Sequence, residues 1–447
     1  MTGSTTHTRR FASVMVLTAA LALAGCGIFG KGKPTTPTVG NRVPILSQIA
    51  NEVEVDRSLA SVSVVLPPAQ ANSEWSQAGG TASKSYGHLA LGQAPTRVWT
   101  ASIAGSSSKR RLAAAPVVGG GSLFVVDTNG AVNAFDAATG ARRWTHQIEV
   151  GAKLRDAAFG GGVSYAGGRV YATNGTGEVV ALDATNGSEL WKVKPAGPLR
   201  GAPTIAFNNV FVMTQDNQIY ALDIANGNVV WNDAASQGEA GLFGVASPAA
   251  GQGSVIAGYS TGELAAYRYE NGRNLWSDAL ARTSISTEVG ALTDVDADPI
   301  IDSGRVYALG QGGRMAAYEL LTGQRIWELN LAGISTPAIA GEWIFTLTDD
   351  ARLLAIARST GRVRWLTQLT QWGNAKKKTK PIFWTGPVLA GNRLWMASSR
   401  GQVMSADVAT GAVTQFADVN ASVSLPPLVA NQTLYILDDD GKIYAWR

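Results

Sequence analysis

The stretch NQIYALDIANGNVVW, residues 217–231, contains the repeating unit that decides the fold. An alternating apolar run, QIYAL, is followed by a short polar turn, a glycine at position 227 and a second apolar run that ends in Trp231. Alternation of this kind is typical of a β-strand, and a glycine in a loop of three to five residues is typical of a hairpin. The stretch therefore predicts two antiparallel strands joined by a tight turn.

The same hairpin recurs along the chain, and its anchor is a glycine followed four residues later by a tryptophan. The pairs are Gly140 with Trp144, Gly187 with Trp191, Gly227 with Trp231, Gly272 with Trp276, Gly323 with Trp327 and Gly361 with Trp365. A seventh copy has Gly411 but Gln415. A small side chain precedes each glycine by six residues, and an aspartate often precedes it by four. We expect the aspartate to bond the turn backbone, the glycine to be left-handed, and the tryptophans to pack neighbouring units together.

Two more strands precede each hairpin, so that each unit has four strands. One is an apolar strand such as RVYAL (305–309), and the other is a short segment after proline or glycine, such as APTIA (202–206). Four-stranded units of about 40 to 45 residues are the sequence form of β-propeller blades. Composition agrees, because 51 of 447 residues are glycine and only 16% are charged, as expected of many short strands joined by tight turns.

The last repeat, DDDGKIYAWR (438–447), breaks off after three strands. Ala445 occupies the small-residue position, and the next glycine and tryptophan would fall beyond residue 447. The segment TRVWTAS (96–102) has a tryptophan, Trp99, but no hairpin before it. We therefore predict an all-β, eight-bladed β-propeller over residues 95–447, with four antiparallel strands per blade and the last blade closed by the N-terminal strand around Trp99. Such closure removes an exposed sheet edge.

The N-terminus predicts export. An apolar stretch of residues 11–25 follows Arg9 and Arg10 and is too short to span a bilayer, but it suits a signal peptide. Leu23-Ala24-Gly25-Cys26 resembles the bacterial lipoprotein box, which implies cleavage of residues 1–25 and acylation of Cys26. The two arginines leave open whether export uses the general secretory or the twin-arginine route.

Residues 26–70 begin with GKGKPTTPTVG (30–40) and predict a lipidated, flexible tether, and residues 71–94 form a pre-propeller segment. Gly27 stands where an aspartate typically retains lipoproteins at the inner membrane, and so resembles outer-membrane sorting.

Charge and motifs exclude several functions. A formal charge of +4 without a basic stripe argues against nucleic-acid binding. The run AKKKTK (375–380), within the insert of residues 371–383, is open between a solvated loop and a contact with acidic lipid headgroups or an acidic partner. The three histidines have no metal-ligand spacing, and we expect neither a metal nor a cofactor.

Two motifs resemble functional sites. GYSTG (258–262) fits a nucleophile pattern at Ser260, but it falls in a predicted hairpin and not at a strand-to-helix elbow. DVDADP (294–299) resembles the start of a calcium loop, yet Pro299 stands where the loop needs glycine and Arg305 where it needs glutamate. Neither motif favours its function over a structural role.

Taken together, the ALDATNGSELW type of repeat (181–191), the lipoprotein box and the pre-propeller EWSQAGG (74–80) resemble the BamB family of outer-membrane protein assembly factors, which are non-enzymatic relatives of pyrroloquinoline-quinone enzymes. The resemblance implies a non-catalytic scaffold of the β-barrel assembly (BAM) machinery. It implies binding to the periplasmic POTRA domains of BamA, indirect association with other BAM lipoproteins, and contact with nascent outer-membrane proteins by strand addition. It also implies an outer-membrane location with the body facing the periplasm.

The resemblance assigns partner contact to two loops. The first contains Leu199 and Arg200 in a leucine-arginine-glycine segment, and the second contains Asp294 and Asp296 in an Asp-Val-Asp segment. The family has an additional leucine where this chain has Gly197, so the apolar contact here is smaller or shifted. An arginine beside an exposed leucine suits an interface hot spot. The alternative is that Arg200 pairs with Asp294 or Asp296 and merely holds the two loops, and both roles are compatible.

Two other functions stay open. One is a quinoprotein dehydrogenase, but such enzymes typically hold the quinone against a vicinal disulfide, and Cys26 is the only cysteine of this chain. The other is a scaffold for a different envelope complex or for the cell wall.

Overall fold

The computed structural model describes residues 53–236, 246–280 and 294–447. Cys26, the signal peptide and the first part of the predicted tether lie outside these residues. Within them, short 3-10 helices occur at Arg57–Leu59 and Ala152–Ala157, and no helix has the length and apolar character needed to cross a membrane.

Eight four-stranded antiparallel sheets form the body, and the chain meanders through each sheet from its first strand to its fourth. Blades 1 to 4 contain, in order, β2 (Val117–Gly119), β3 (Ser122–Val126), β4 (Ala131–Asp136), β5 (Arg142–Gln147); β6 (Val163–Ala166), β7 (Arg169–Thr173), β8 (Val179–Asp183), β9 (Glu189–Val193); β10 (Leu199–Ala206), β11 (Asn209–Thr214), β12 (Gln218–Asp223), β13 (Val229–Ala234); and β14 (Ala249–Gly251), β15 (Ser254–Gly258), β16 (Glu263–Arg268), β17 (Asn274–Ala279).

Blades 5 to 8 follow the same plan. They contain β18 (Ile300–Asp302), β19 (Arg305–Gly310), β20 (Arg314–Glu319), β21 (Arg325–Leu329); β22 (Ala338–Ala340), β23 (Trp343–Leu347), β24 (Arg352–Ala357), β25 (Val363–Gln368); β28 (Trp384–Ala390), β29 (Arg393–Ser398), β30 (Gln402–Asp407), β31 (Val413–Asp418); and β32 (Leu428–Ala430), β33 (Thr433–Leu437), β34 (Lys442–Trp446) with β1 (Arg97–Ser102). A separate two-stranded ribbon, β26 (Trp372–Asn374) and β27 (Thr379–Pro381), precedes blade 7 and exposes the lysines of AKKKTK.

The ring closes as the sequence predicts. Strand β1 pairs antiparallel with β34, and Trp99 lies opposite Ala445. The same cross-strand pair, tryptophan opposite alanine, occurs in blades 1 to 6, for example Trp231 opposite Ala221. The eighth blade is therefore a complete copy of the repeat, made from both ends of the folded body.

Each blade joins the next through its tryptophan. The indole ring lies on the turn glycine of the next blade, where a Cβ atom would come within 2.5 to 2.9 Å of the ring. These glycines have φ values of +68° to +75°, so the left-handed backbone and the close ring contact both require glycine. The indole N–H donates to the carbonyl three residues before that glycine, over 2.8 to 3.2 Å. The prediction of blade-to-blade packing is confirmed.

The joint between blades 7 and 8 differs, because Gln415 stands in the tryptophan position. In blade 7 the register shift lies two residues earlier along the third strand than in the other blades, between Val403 and Met404. Phe416 contacts Trp446 of blade 8, with ring centroids 5.9 Å apart. Phe416, the residue after Gln415, thus supplies the aromatic contact with blade 8 that Gln415 cannot make.

The turn aspartates act as predicted. Oδ1 of Asp136 accepts hydrogen bonds from the N–H groups of Ala138 and Thr139, and Asp183, Asp223 and Asp407 do the same in their own turns. A short carboxylate side chain thereby satisfies turn donors that would otherwise be open to solvent.

The pre-propeller segment plugs the ring, and we call residues 71–91 the plug. It makes hydrogen bonds with the first strands of successive blades. They join Asn72 to Val429 and Asn431 of blade 8, Trp75 to Val118 of blade 1, Ser76 to Tyr165 of blade 2, Gln77 to Ile205 of blade 3, Ala82 to Ala250 of blade 4, Ser83 to Ile301 of blade 5, and Leu89 to Leu389 and Gly391 of blade 7. Seven blades are thus tied to one segment.

Blade 6 is contacted by residues that precede the plug. The amide of Asp56 donates to the carbonyl of Val363, and Nε of Arg364 donates to the carbonyl of Val62. Val64 and Leu66 pack against the hydrophobic cluster of blades 6 and 7. The last part of the predicted tether of residues 26–70 is therefore bound to the propeller.

The meander defines two faces of the ring. On one face, which we call the entry face, each first strand begins, each second strand is connected to the third, and each fourth strand ends. The plug bonds the far ends of the first strands and so lies toward the opposite face. The entry face therefore carries the long connections between blades.

Candidate functional site

The first predicted loop leads directly into blade 3. Leu199 and Arg200 are the first residues of β10, where they pair with Thr214 and Met213 of β11. The pairing then shifts between Arg200 and Thr204 at a bulge that includes Gly201, which has a φ of +63°. Bulges bend a strand and change the direction of nearby side chains. The bulge thus fixes the position from which the Arg200 side chain extends.

The second predicted loop lies between blades 4 and 5. The amide of Val295 donates to the carbonyl of Tyr259 in blade 4, and the amide of Gln311 in blade 5 donates to the carbonyl of Asp294. A Cβ at Gly258 would come within 2.5 Å of the Val295 side chain. Backbone bonds to both blades hold the two aspartates at the entry face.

Arg200 joins the two loops by an ion pair. Its Nη2 lies 2.7 Å from Oδ1 of Asp294, 3.1 Å from the carbonyl oxygen of Val295 and 3.3 Å from Oδ1 of Asp296. The side chains of Arg200, Asp294 and Asp296 are 0%, 3% and 12% exposed. Among the described residues, Nε and Nη1 of Arg200 and Oδ2 of Asp294 have no hydrogen-bond partner. The pair links blade 3 to the segment between blades 4 and 5.

The structure corrects one expectation and confirms another. Leu199 is fully buried in a cluster with Tyr171 and Val179 of blade 2 and Ile205 of blade 3, so the expected exposed leucine beside an arginine is wrong. The alternative interpretation, an internal pair of Arg200 with the two aspartates, is confirmed. The arginine and the two aspartates meet as predicted, but as a supporting layer beneath the surface.

A cavity of about 460 Å³ lies between the plug and the entry face. Its apolar lining includes Trp75 and Tyr86 of the plug, together with Ile334, Phe383 and Trp384 from connections on the entry face. Its charged lining, among the residues that the structure describes, consists of Arg111, Asp296, Asp298 and Asp439. The cavity therefore adjoins the ion pair through Asp296.

Two buried charged side chains beside this cavity, Lys84 and Asp298, were not predicted as site residues. Lys84 of the plug is 1% exposed, and its Nζ donates to Oγ1 of Thr204 over 3.1 Å. Asp298 is 9% exposed, and its Oδ1 accepts from the amide of Ser247 over 2.7 Å. Burial lowers the pKa of Lys84, and the charge of Asp298 opposes that shift. Burial raises the pKa of Asp298, against the effects of Lys84, the Ser247 amide and Arg200.

These two groups differ in how far the sequence indicated them. Asp298 belongs to the quoted DVDADP motif, whose alternating aspartates were a signal. Lys84 is a lone lysine in the pre-propeller segment and gave none.

The GYSTG and DVDADP motifs have structural roles. Ser260 lies in the turn between β15 and β16, and its amide and hydroxyl bond Oδ1 of Asn217 in the neighbouring blade. No group of three or more metal-ligating side chains occurs within residues 53–236, 246–280 and 294–447. Arg200, rather than a cation site, faces the aspartates of DVD.

Solved structures with the same fold include BamB from Moraxella catarrhalis. That chain is 20% identical, with a TM-score of 0.67, and the match covers 79% of this chain and 99% of that one. A quinohemoprotein alcohol dehydrogenase from Comamonas testosteroni also shares the fold, with 14% identity, a TM-score of 0.65, and coverage of 84% and 80%. At these identities the likeness concerns the fold alone.

The residues at the cavity do not fit the quinone of such dehydrogenases. Pyrroloquinoline quinone is a tricarboxylate, whereas the charged residues that line the cavity within the described part of the chain are three aspartates, Asp296, Asp298 and Asp439, and one arginine, Arg111. Like charges close together in a partly buried site repel each other. The only cysteine in the sequence, Cys26, also leaves no vicinal disulfide.

The matching family model and the related sequences indicate the same family. The family model described as outer membrane protein assembly factor BamB matches residues 87–153, 128–367 and 369–447. The protein of that name from Salmonella typhimurium is 29% identical over 357 residues, which is 78% of this chain and 88% of the relative. The Yersinia pestis protein of that name is 26% identical over 359 residues, covering 79% and 88%. The chain therefore belongs to the outer membrane protein assembly factor BamB family.

Proposed function

We propose that this chain is a non-catalytic lipoprotein scaffold of the outer-membrane β-barrel assembly machinery. Acylated Cys26 anchors it to the outer membrane, and the propeller faces the periplasm. There it binds the POTRA domains of BamA and assists the folding and insertion of outer-membrane proteins. Family membership supports the assignment, and the observation that carries the site is the meeting of both predicted contact loops in one ion pair.

The burial of Arg200 gives it a positioning role in this proposal. Arg200 and Asp294 hold the two loops together, and Leu199 fastens the first loop to blade 2. The partner contacts what these residues support, namely the exposed Gly197 and Pro198 together with the partly exposed Asp296. A surface fixed by buried contacts loses little conformational freedom on binding, which favours affinity.

A photocrosslinking amino acid at position 198, in living cells, tests the partner. We expect a crosslink to BamA, because Pro198 is exposed beside the ion pair on the entry face. Position 321 is the matched control, since Leu321 is 65% exposed but lies in the turn between the third and fourth strands of blade 5, on the opposite face. Equal crosslinking to BamA from both positions would overturn the site, and crosslinking from position 198 to a different envelope protein would overturn the partner.

A further inference from the structure

The connection from blade 6 to blade 7 carries a ribbon that stands out from the propeller. Its strands β26 and β27 pair antiparallel, with Trp372 opposite Pro381 and Asn374 opposite Thr379. Every residue from 373 to 381 is exposed, on both strands and in the turn between them. Because the connection follows the fourth strand of blade 6, the ribbon lies on the entry face.

Hydrogen bonds fix the ribbon at its base and at its tip. At the base, the amide of Ile382 donates to the carbonyl of Gln371 over 2.9 Å, and the Ile382 side chain is buried. At the tip, the amide of Lys377 donates to Oδ1 of Asn374 over 3.1 Å. The lysines of the turn are therefore presented by a defined hairpin.

The ribbon and the blade 7 turn beside it form a patch of exposed cations. Arg400 lies against the ribbon, because a Cβ at Gly373 would overlap its guanidinium group. Together with the ribbon lysines it forms what we call the basic patch, which consists of Lys376, Lys377, Lys378, Lys380 and Arg400.

The basic patch carries an excess of positive charge. Residues 351–406 contain ten lysines and arginines and no aspartate or glutamate, although the whole chain has a formal charge of only +4. Arginines of blade 6 are paired, as Arg352 is with Asp350 and Arg358 with Asp302, but no described residue forms an ion pair with the basic patch. The residues outside the described ranges contain three glutamates, at positions 52, 239 and 288, so the five cations keep a positive excess whatever those three contact.

The side chains favour an anionic lipid surface over an acidic protein. Lysine is a point charge on a flexible stem and binds phosphate without the fixed planar geometry of arginine. Clusters of roughly four to eight lysines and arginines are typical of segments that bind anionic membranes. Phe383, which is 63% exposed at the base of the ribbon, adds an apolar ring of the kind that enters the headgroup region. Hot spots of protein interfaces lie instead in well-packed, desolvated pockets, whereas this ribbon is exposed on both strands.

The position of the ribbon agrees with the proposed lipid anchor. Val53, the first residue that the structure describes, packs against the hydrophobic cluster of blades 5 and 6, and the amide of Asp56 donates to the carbonyl of Val363 in blade 6. The chain toward Cys26 therefore leaves the propeller at the blade that the ribbon follows. Residues 26–52 can span at most ~95 Å, which limits the distance between the propeller and the bilayer.

We propose that the ribbon is a second membrane contact, in which the basic patch binds the phosphate groups of anionic phospholipids in the bilayer that holds the acyl anchor. Blade 7 is four blades from blade 3 in a ring of eight, so the ribbon can bind lipid while the loops at Arg200 bind their partner. The contact thus orients the propeller, which the anchor at one end of the chain cannot do. The choice of a bilayer rests on the anchor in the proposed function.

Sedimentation with lipid vesicles tests the contact. The protein is the chain from residue 26 with Cys26→Ser, which retains all described residues and cannot be acylated. We expect it to bind vesicles of phosphatidylcholine with phosphatidylglycerol at least about a hundredfold more tightly than vesicles of phosphatidylcholine alone, because each cation near an anionic surface contributes about fivefold. Binding should be lost at about 1 M salt, where the screening length is only ~3 Å.

Two matched variants locate the contact within the entry face. Lys377→Gln combined with Lys378→Gln is expected to weaken binding to the anionic vesicles by roughly 25-fold, which is about fivefold per lysine. Lys153→Gln combined with Arg155→Gln removes the same charge from exposed positions in the connection between blades 1 and 2, and is expected to change binding by less than about twofold. Because all four side chains are exposed, both variants should keep the melting temperature of the parent protein.

Three outcomes overturn the proposal. They are equal binding, or no binding, to the two kinds of vesicle, unchanged affinity in the ribbon variant, and equal losses in the two variants. If anionic vesicles are not bound and a photocrosslinking amino acid at position 378 captures an envelope protein in living cells, the ribbon is a docking site for an acidic protein instead. Acylation of Cys26 is measured separately, from the mass of the N-terminal peptide of the native protein, so failure of the anchor and failure of the ribbon are distinguishable.

Discussion

The ion pair between Arg200 and Asp294 makes a quantitative prediction. Arg200→Met leaves a carboxylate that is 3% exposed without its cation, and the other oxygen of Asp294 already lacks a described partner. Removing one member of a buried pair costs about 3 to 5 kcal/mol. Asp294→Asn is expected to lower the free energy of unfolding by less, about 1 to 3 kcal/mol, because Arg200 still has Asp296 and the Val295 carbonyl as hydrogen-bond partners.

The double variant separates pairing from packing. Arg200→Met combined with Asp294→Asn removes both charges, so its loss should fall short of the sum of the single losses by about 2 kcal/mol. For a folded body of about 400 residues, unfolding entropy is roughly 0.8 kcal/mol/K, so a loss of about 4 kcal/mol lowers the melting temperature by about 5 °C. Differential scanning calorimetry of the four proteins measures the cycle.

A functional measurement accompanies the thermal one. If Arg200 positions the contact surface, crosslinking from position 198 should fall in Arg200→Met and partly return in the double variant. Additive losses of stability would refute the claim that Arg200 and Asp294 act as a pair. Full crosslinking in a destabilised Arg200→Met would refute the positioning role.

Three further changes test the ring itself. Gly323→Ala should lower the free energy of unfolding by about 2 to 4 kcal/mol, and Gly304→Ala by only about 1 kcal/mol. Both glycines have positive φ, but only at Gly323 would the new Cβ lie 2.5 Å from Trp276. Equal melting temperatures of the two variants would contradict this prediction. Gln77→Ala should cost about 2 to 3 kcal/mol, because its amide makes two buried hydrogen bonds to one backbone residue of blade 3, and an unchanged melting temperature would argue against a structural plug. An arginine on the neighbouring strand and the turn amides lower the pKa of Asp136 from 3.8 to about 2. Its contribution is therefore complete above pH 4 and lost as the pH falls to about 2, so the difference in melting temperature between the wild type and Asp136→Asn should shrink over that range, and a constant difference would contradict it.

The repeat was readable from the sequence because its determinants are local. A glycine, a tryptophan four residues later and an alternating strand before them are set by turn geometry and strand periodicity. Counting these units also located the missing outer strand at Trp99, although Trp99 lies far from its pairing partner Ala445 along the chain. The sequence showed that Gln415 departs from the tryptophan of the repeat. It did not show that Phe416 makes the contact instead, because a shifted bulge decides which side chain faces blade 8.

The sequence by itself thus determined the strands, the number of blades and the closure of the ring, and a family resemblance marked the two loops. Only the tertiary structure decided that Leu199 and Arg200 are buried, that residues 55–91 bind the blades, and that Lys84 and Asp298 lie beside an axial cavity. The physical reason is the range of the interactions. A strand or turn depends on neighbours a few residues away, whereas the burial of Arg200 depends on Asp294, which lies 94 residues further along the chain.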